Sequence, residues 1–197
     1  MPWRRSVTPI DDRDDLVLRP AHAADLAELA ELFIATRRAA VPAMPLPVEG
    51  DDEIRDWFDA LTLGTAPGAK EIWVAEDEDV LGFAVTDGNW LDSIYVGPQH
   101  QARGIGSALL EVVKAQAPGG FALWVFASNT SARGFYHRHG LIELEHTDGS
   151  ANPEGAPEVR MAWPGLDPIA YLRSQIDEVD DDLALLLARP RGWPTRR

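Results

Sequence analysis

Apolar positions along the chain repeat with two periods, near two and near 3.6, and their order predicts an architecture. Residues 16–19 read as a short strand. Asp25 stands where a cap would open a helix running to about Ala40, with Leu26, Leu29, Ala30, Phe33 and Ile34 on one face. Residues 41–47 hold three prolines in seven positions and cannot extend that helix. Asp51 or Asp52 opens a second helix through Ile54, Trp57, Phe58 and Leu61. Residues 71–75 and 80–85 form a hairpin across an acidic turn, and residues 91–96 make the next strand. A polar loop through Gly104 and Gly106 leads into an amphipathic helix carrying Leu109, Leu110, Val112 and Val113. Residues 121–126 are a strand, a short helix follows from Asn129, and residues 141–147 and 158–162 supply two last strands. This order predicts an α/β (α+β) domain whose mixed, mostly antiparallel sheet is flanked by helices.

Three segments follow from the same pattern. Residues 1–15 are charged and read as a flexible arm, residues 16–164 as the folded domain, and residues 165–197 as a C-terminal appendage. In the appendage Ile169, Leu172, Ile176, Val179, Leu183 and Leu186 recur at 3-4-3-4-3 spacing, a heptad seam on an amphipathic helix that Pro190 ends. Five acids in the six positions 177–182 lie off that seam. The helix either packs on its own domain or pairs with a second chain as a homodimer.

Composition narrows the chemistry. A formal net charge of −14 argues against nucleic acid and anionic membrane as partners and suits a cationic substrate. With no cysteine, disulfides, Cys-rich zinc sites and an acyl-cysteine intermediate are excluded. His100, His137 and His139 lie close in sequence, but no paired acid completes a ligand set, so no metal is expected. Trp3-Arg-Arg is not followed by an apolar stretch, and no apolar run approaches membrane-spanning length, so the expected compartment is cytoplasmic.

The strand, glycine turn and helix start at residues 94–107 form a socket for a phosphate, because the first helical N–H groups lack intrahelical partners. The spacing Gln101-x-x-Gly104-x-Gly106 is neither a dinucleotide fingerprint nor a P-loop, and alone it describes only a turn. A second motif, Asn129-Thr-Ser-Ala132-Arg-Gly-Phe135-Tyr136-His-Arg-His-Gly140-Leu141, follows about 25 residues on. Together the two resemble the GNAT superfamily of acyl-CoA-dependent N-acetyltransferases over roughly residues 16–163, with Leu141 in place of the usual Phe.

The resemblance implies a sheet splayed between residues 91–96 and 121–126, with acetyl-CoA as acyl donor in the gap. It implies that the backbone of Ile94, Tyr95 and Val96 bonds the pantetheine arm, that Ala102, Arg103, Gly104, Ile105, Gly106 and Ser107 take the diphosphate, and that Gln101 closes the loop. Asn129 matches a residue beside the cofactor arm, though an N-cap role accounts for it equally. Tyr136 matches the general acid, with a packing aromatic as the bland alternative. Where some relatives carry a glutamate base this chain has Trp124. Asp92, read by alternation onto a face with Trp90, Ile94 and Val96, is the candidate base or substrate anchor, or else a solvated strand-end acid. Acceptor contacts are expected from Arg37, residues 44–46, Trp57 and residues 146–154. The implied activity is acetyl transfer to a small-molecule or peptide amine. A noncatalytic acyl-CoA-binding sensor or partner-docking module is the alternative.

Residues 171–189 also resemble the first helix of AroQ-type chorismate mutases, with Arg173 at the substrate-binding arginine. The later helices and their lysine are absent, so no mutase activity is expected.

Overall fold

The computed structural model describes residues 16–64, 68–169 and 171. The expected arm, the seam beyond Ile169, the acidic run and Arg173 lie outside the described residues.

Seven strands form one sheet in the order β1-β2-β3-β4-β5-β7-β6. They are β1 (Val17–Pro20), β2 (Glu71–Glu76), β3 (Val80–Asp87), β4 (Trp90–Val96), β5 (Phe121–Phe126), β6 (Ile142–Thr147) and β7 (Glu158–Trp163). Every neighbouring pair is antiparallel except β4 and β5. Among the described residues they are accompanied by the α-helices α1 (Leu26–Ala39), α2 (Asp51–Asp59), α3 (Ile105–Gln116) and α4 (Thr130–Arg138).

Alternation along the strands splits the core into two apolar clusters. Leu29, Phe33, Ile54 and Phe58 of α1 and α2 pack with Ile72, Val74, Phe83 and Val85. Leu109, Leu110 and Val113 of α3 and Tyr136 of α4 pack with Leu91, Leu123, Val125, Val159 and Met161. Each such large side chain taken from water contributes about 1.5–3 kcal/mol before entropy. Together they seat the helices on the two faces of the sheet.

Two local expectations are corrected. Asp25 does not cap α1 with its side chain. It closes a 3-10 turn (Ala23–Asp25), accepts the His22 N–H at 2.7 Å and takes both arms of Arg19 at 2.7 and 3.0 Å. The guanidinium outcompetes a helix N–H for the same oxygens. Asp92 does not share a face with Ile94 and Val96. Thr86 stands opposite Leu91 and Val85 opposite Ser93, so Asp92 is the extra residue of a β-bulge. The bulge shifts the phase of β4, and Leu91, Ile94 and Val96 fall in one cluster.

The appendage begins against the sheet. Tyr171 is buried on Ala122 and Ala162 beside Trp90 and Leu144. Gly120 makes room for it, since a Cβ there would come within 2.6 Å of the Tyr171 ring. Ile169, the first seam position, is 63% exposed. No helix among the described residues is long and apolar enough to cross a membrane.

Candidate active site

β4 and β5 run parallel but share one paired position, Trp90 opposite Ala122. Beyond it they separate. A cavity of about 420 Å³ opens there, walled by Ser93, Ile94 and Tyr95 on one side and residues 123–126 on the other. In the antiparallel β3–β4 ladder successive residues turn their main-chain groups alternately toward and away from the partner strand. Gly97 N–H donates to Leu81 O at 2.9 Å, and the Val96 carbonyl accepts from Gln101 Nε2 at 3.3 Å. Ile94 and Val96 therefore direct their N–H and C=O groups toward the gap, while Tyr95 directs its own toward β3. Gln101 lies folded under the loop as a tie.

The glycine turn adopts left-handed backbone at two positions, Ala102 with φ 61° and Gly104 with φ 88°. Glycine accepts that conformation freely, whereas alanine does so at a cost. The first intrahelical bond of α3 runs from Ala108 N–H to Gly104 O at 3.0 Å, which places the N–H groups of Ile105, Gly106 and Ser107 ahead of the helix ladder. The Ser107 hydroxyl pairs with His139 Nε2 at 3.0 Å, tying the start of α3 to the exit of α4.

Tyr136 is buried at the cavity wall. Burial, and secondarily the Tyr95 phenol, pushes its pKa above the usual tyrosine value, so the hydroxyl keeps its proton throughout the physiological range. Asn129 accepts the Ala132 N–H at 3.1 Å, so it caps α4, and it also lines the cavity. Asp92 lines the cavity too, with Lys70 Nζ 2.6 Å away. Burial raises its pKa, Lys70 pulls it down, and the net shift is upward. Trp124 lines the wall as well.

Of the residues expected to meet the acceptor, the structure brings Arg37, Met44, Trp57 and residues 152–154 to the cavity. Pro47 lines it as well, whereas Leu46 is 60% exposed and His146 is engaged with Glu143 at 3.1 Å. Glu49, Asp87 and Glu158 line the cavity without having been singled out in the sequence. Each sits in or at the edge of a loop or strand end, where an acid carries no local signal. Among the described residues no cluster of three His, Cys, Asp or Glu side chains could hold a metal ion.

Residues 68–141, which span the glycine turn and the Tyr136 helix, match the family model of the acetyltransferase (GNAT) domain. The peptidyl-lysine N-acetyltransferase YjaB of Salmonella typhimurium is 29% identical over 141 residues, 71% of each chain. The peptidyl-lysine N-acetyltransferase YiaC of Escherichia coli is 26% identical over 155 residues, 75% of this chain and 97% of that one. The solution structure of apo-form YjaB from Escherichia coli shares the fold at a TM-score of 0.61 and 22% identity, covering 76% of this chain and 98% of that one. YncA from Salmonella typhimurium, solved with its cofactor acetyl-CoA, does so at a TM-score of 0.60 and 19% identity, covering 78% and 95%. Motif, sheet order and relatives converge: residues 68–141 are similar to the GNAT acetyltransferase domain, and the whole sheet has the fold of the acetyltransferases named above.

Proposed function

We propose that the protein moves an acetyl group from acetyl-CoA to a primary amine of a small molecule or peptide. The observation that carries this reading is the gap between β4 and β5, with the glycine turn at its edge and a buried phenol, Tyr136, on its wall. The residues present fit the donor. Ile94 and Val96 offer main-chain groups to an amide-bearing arm, and the turn and first helical N–H groups at 102–107 suit a diphosphate. Arg103 adds a cation beside them. When bound, acetyl-CoA supplies an acetyl group activated as a thioester.

This chain's residues then handle protons and position. Tyr136 donates its proton to the departing sulfur as the amine nitrogen bonds the acetyl carbon and the carbon–sulfur bond breaks. A phenol near pKa ~10 and a thiol near ~8.5 are matched closely enough for that transfer. Burial raises the Tyr136 phenol further and keeps it protonated until the sulfur departs. Asp92 accepts the amine proton, directly or through a water. Its upward-shifted pKa makes it a better base than a solvated carboxylate.

The curated relatives named above are peptidyl-lysine enzymes, which makes a lysine-containing peptide the first acceptor to try. Freeing a lysine amine of its proton at pH 7 costs roughly 4–5 kcal/mol, against about 1 for an α-amine, so α-amines belong in the same panel. The test is acetyl-CoA turnover across peptides and small amines, comparing the wild type with Tyr136→Phe. Thermal stabilisation by CoA with no turnover on any amine would sink the catalytic reading and leave a noncatalytic acyl-CoA sensor.

A further inference from the structure

Arg37 is a cation in a place where burial is costly. It is 7% exposed on α1, at the wide end of the strand gap. Its guanidinium lies 5.9 Å from the Phe33 ring centroid and 5.6 Å from that of Phe126. Nη2 donates to Pro45 O at 3.0 Å and to Glu154 Oε1 at 3.1 Å. The Tyr95 phenol lies close enough to raise the guanidinium pKa, and Nε is buried with no hydrogen-bond partner. Burial works against its charge, and Tyr95 and Glu154 outweigh that effect. An apolar side chain of similar length would fill this space without an orphaned donor, so packing alone does not account for an arginine.

What the contacts achieve is connection. Pro45 belongs to the loop between α1 and α2, Tyr95 to β4, and Glu154 to the loop between β6 and β7. Both loops supply cavity wall, through Met44 and Pro47 on one side and residues 152–154 on the other. Ser128 Oγ donates to Ala43 O at 2.8 Å, a second tie on the first loop. We propose that Arg37 is a positioning residue that clasps these two loops across the cavity mouth and so sets the shape of the acceptor side. The inference rests on reading the cavity as the transfer site, but the clasp itself exists without turnover. Its two hydrogen bonds go to the loops, and neither goes to the β4 main chain or the start of α3, on which the donor reading rests.

Arg37→Met, Arg37→Lys and Glu154→Ala test this in the full chain. Hydrogen–deuterium exchange is read over residues 41–49 and 148–157, acceptor KM and kcat with the best amine of the wild type, and CoA affinity by calorimetry. The Met and Ala variants should speed exchange in both loops and raise acceptor KM about tenfold while CoA affinity stays within about twofold, and Lys should recover part of the loss. Faster exchange in one loop only, or CoA affinity falling in step with the rise in KM, overturns the clasp. If Arg37→Met fails to fold, Glu154→Ala decides alone. If the wild type binds CoA yet acetylates no amine, the proposed function falls, and the exchange data still judge the clasp.

Discussion

Lys70 Nζ lies 2.6 Å from Asp92 Oδ2 and 3.1 Å from Asp87 Oδ2, with the Lys70 and Asp92 side chains only 19% and 14% exposed. The bulge in β4 pushes Asp92 out of the ladder, and the lysine meets it there. Burial pushes the Asp92 carboxyl up, Lys70 draws it back, and Asp87 pushes it up again. Lys70→Met leaves the two upward influences unopposed. A carboxylate base works only when ionised, so activity is lost as pH falls through its pKa. The acid limb of the kcat/KM profile should therefore move to higher pH in the variant. A folded variant whose limb stays in place would remove Asp92 from the base role.

Tyr136→Phe separates chemistry from packing. No hydrogen bond holds the hydroxyl among the described residues, so its removal should leave Tm nearly unchanged. As general acid the phenol contributes about 10²-fold or more to kcat. Stopped assays of thiol release alongside thermal melts check both halves, and an unchanged kcat would reduce Tyr136 to a wall residue.

Ala102, at φ 61°, is the non-glycine residue held in left-handed backbone among those described. Ala102→Gly relieves a penalty of about 1–2 kcal/mol and adds unfolded-state entropy worth about half of that, for a net gain of up to about 1 kcal/mol. Chemical denaturation measures it. A loss of stability would mean that the alanine methyl makes contacts that outweigh its strain.

Acid should weaken the first strand's anchorage. The Arg19 guanidinium holds the carboxyls of Asp25 and Glu76 below their ordinary values. Groups depressed in this way stabilise the fold above their unfolded pKa, near about 4, and lose that contribution as pH falls through the lower folded values. Tm should fall between roughly pH 5 and 2, and Arg19→Met should flatten that slope, modestly because the side chains are partly solvated. Parallel slopes for the two proteins would show that the ion pairs carry no acid sensitivity.

Features set by near neighbours in the chain could be read from the sequence. The glycine turn, the amphipathic α3 and the Asn129 cap belong here, because each depends on spacing within one turn of helix. Features set by distant partners could not. The displacement of Asp92 depends on its register against β3, and periodicity along β4 alone gives the wrong face. Asp25 reads as a cap until Arg19, six residues away, and Glu76 beyond it claim the same corner. Arg37 could be singled out as a cavity residue, but its bond to Glu154 crosses 117 positions. Lys70 carries no local mark, and only the folded chain brings it to two acids.

The lone rung between Trp90 and Ala122 has a mechanical consequence. Two half-sheets meet there like the arms of an open hinge, with no further strand pairing between them among the described residues and only the side-chain packing across both to resist a change of angle. A molecule lying along the notch, bonded through the outward groups of Ile94 and Val96, would take the place of the absent strand. The body of the protein would then be stiffest when loaded, and its cargo would count among its structural parts.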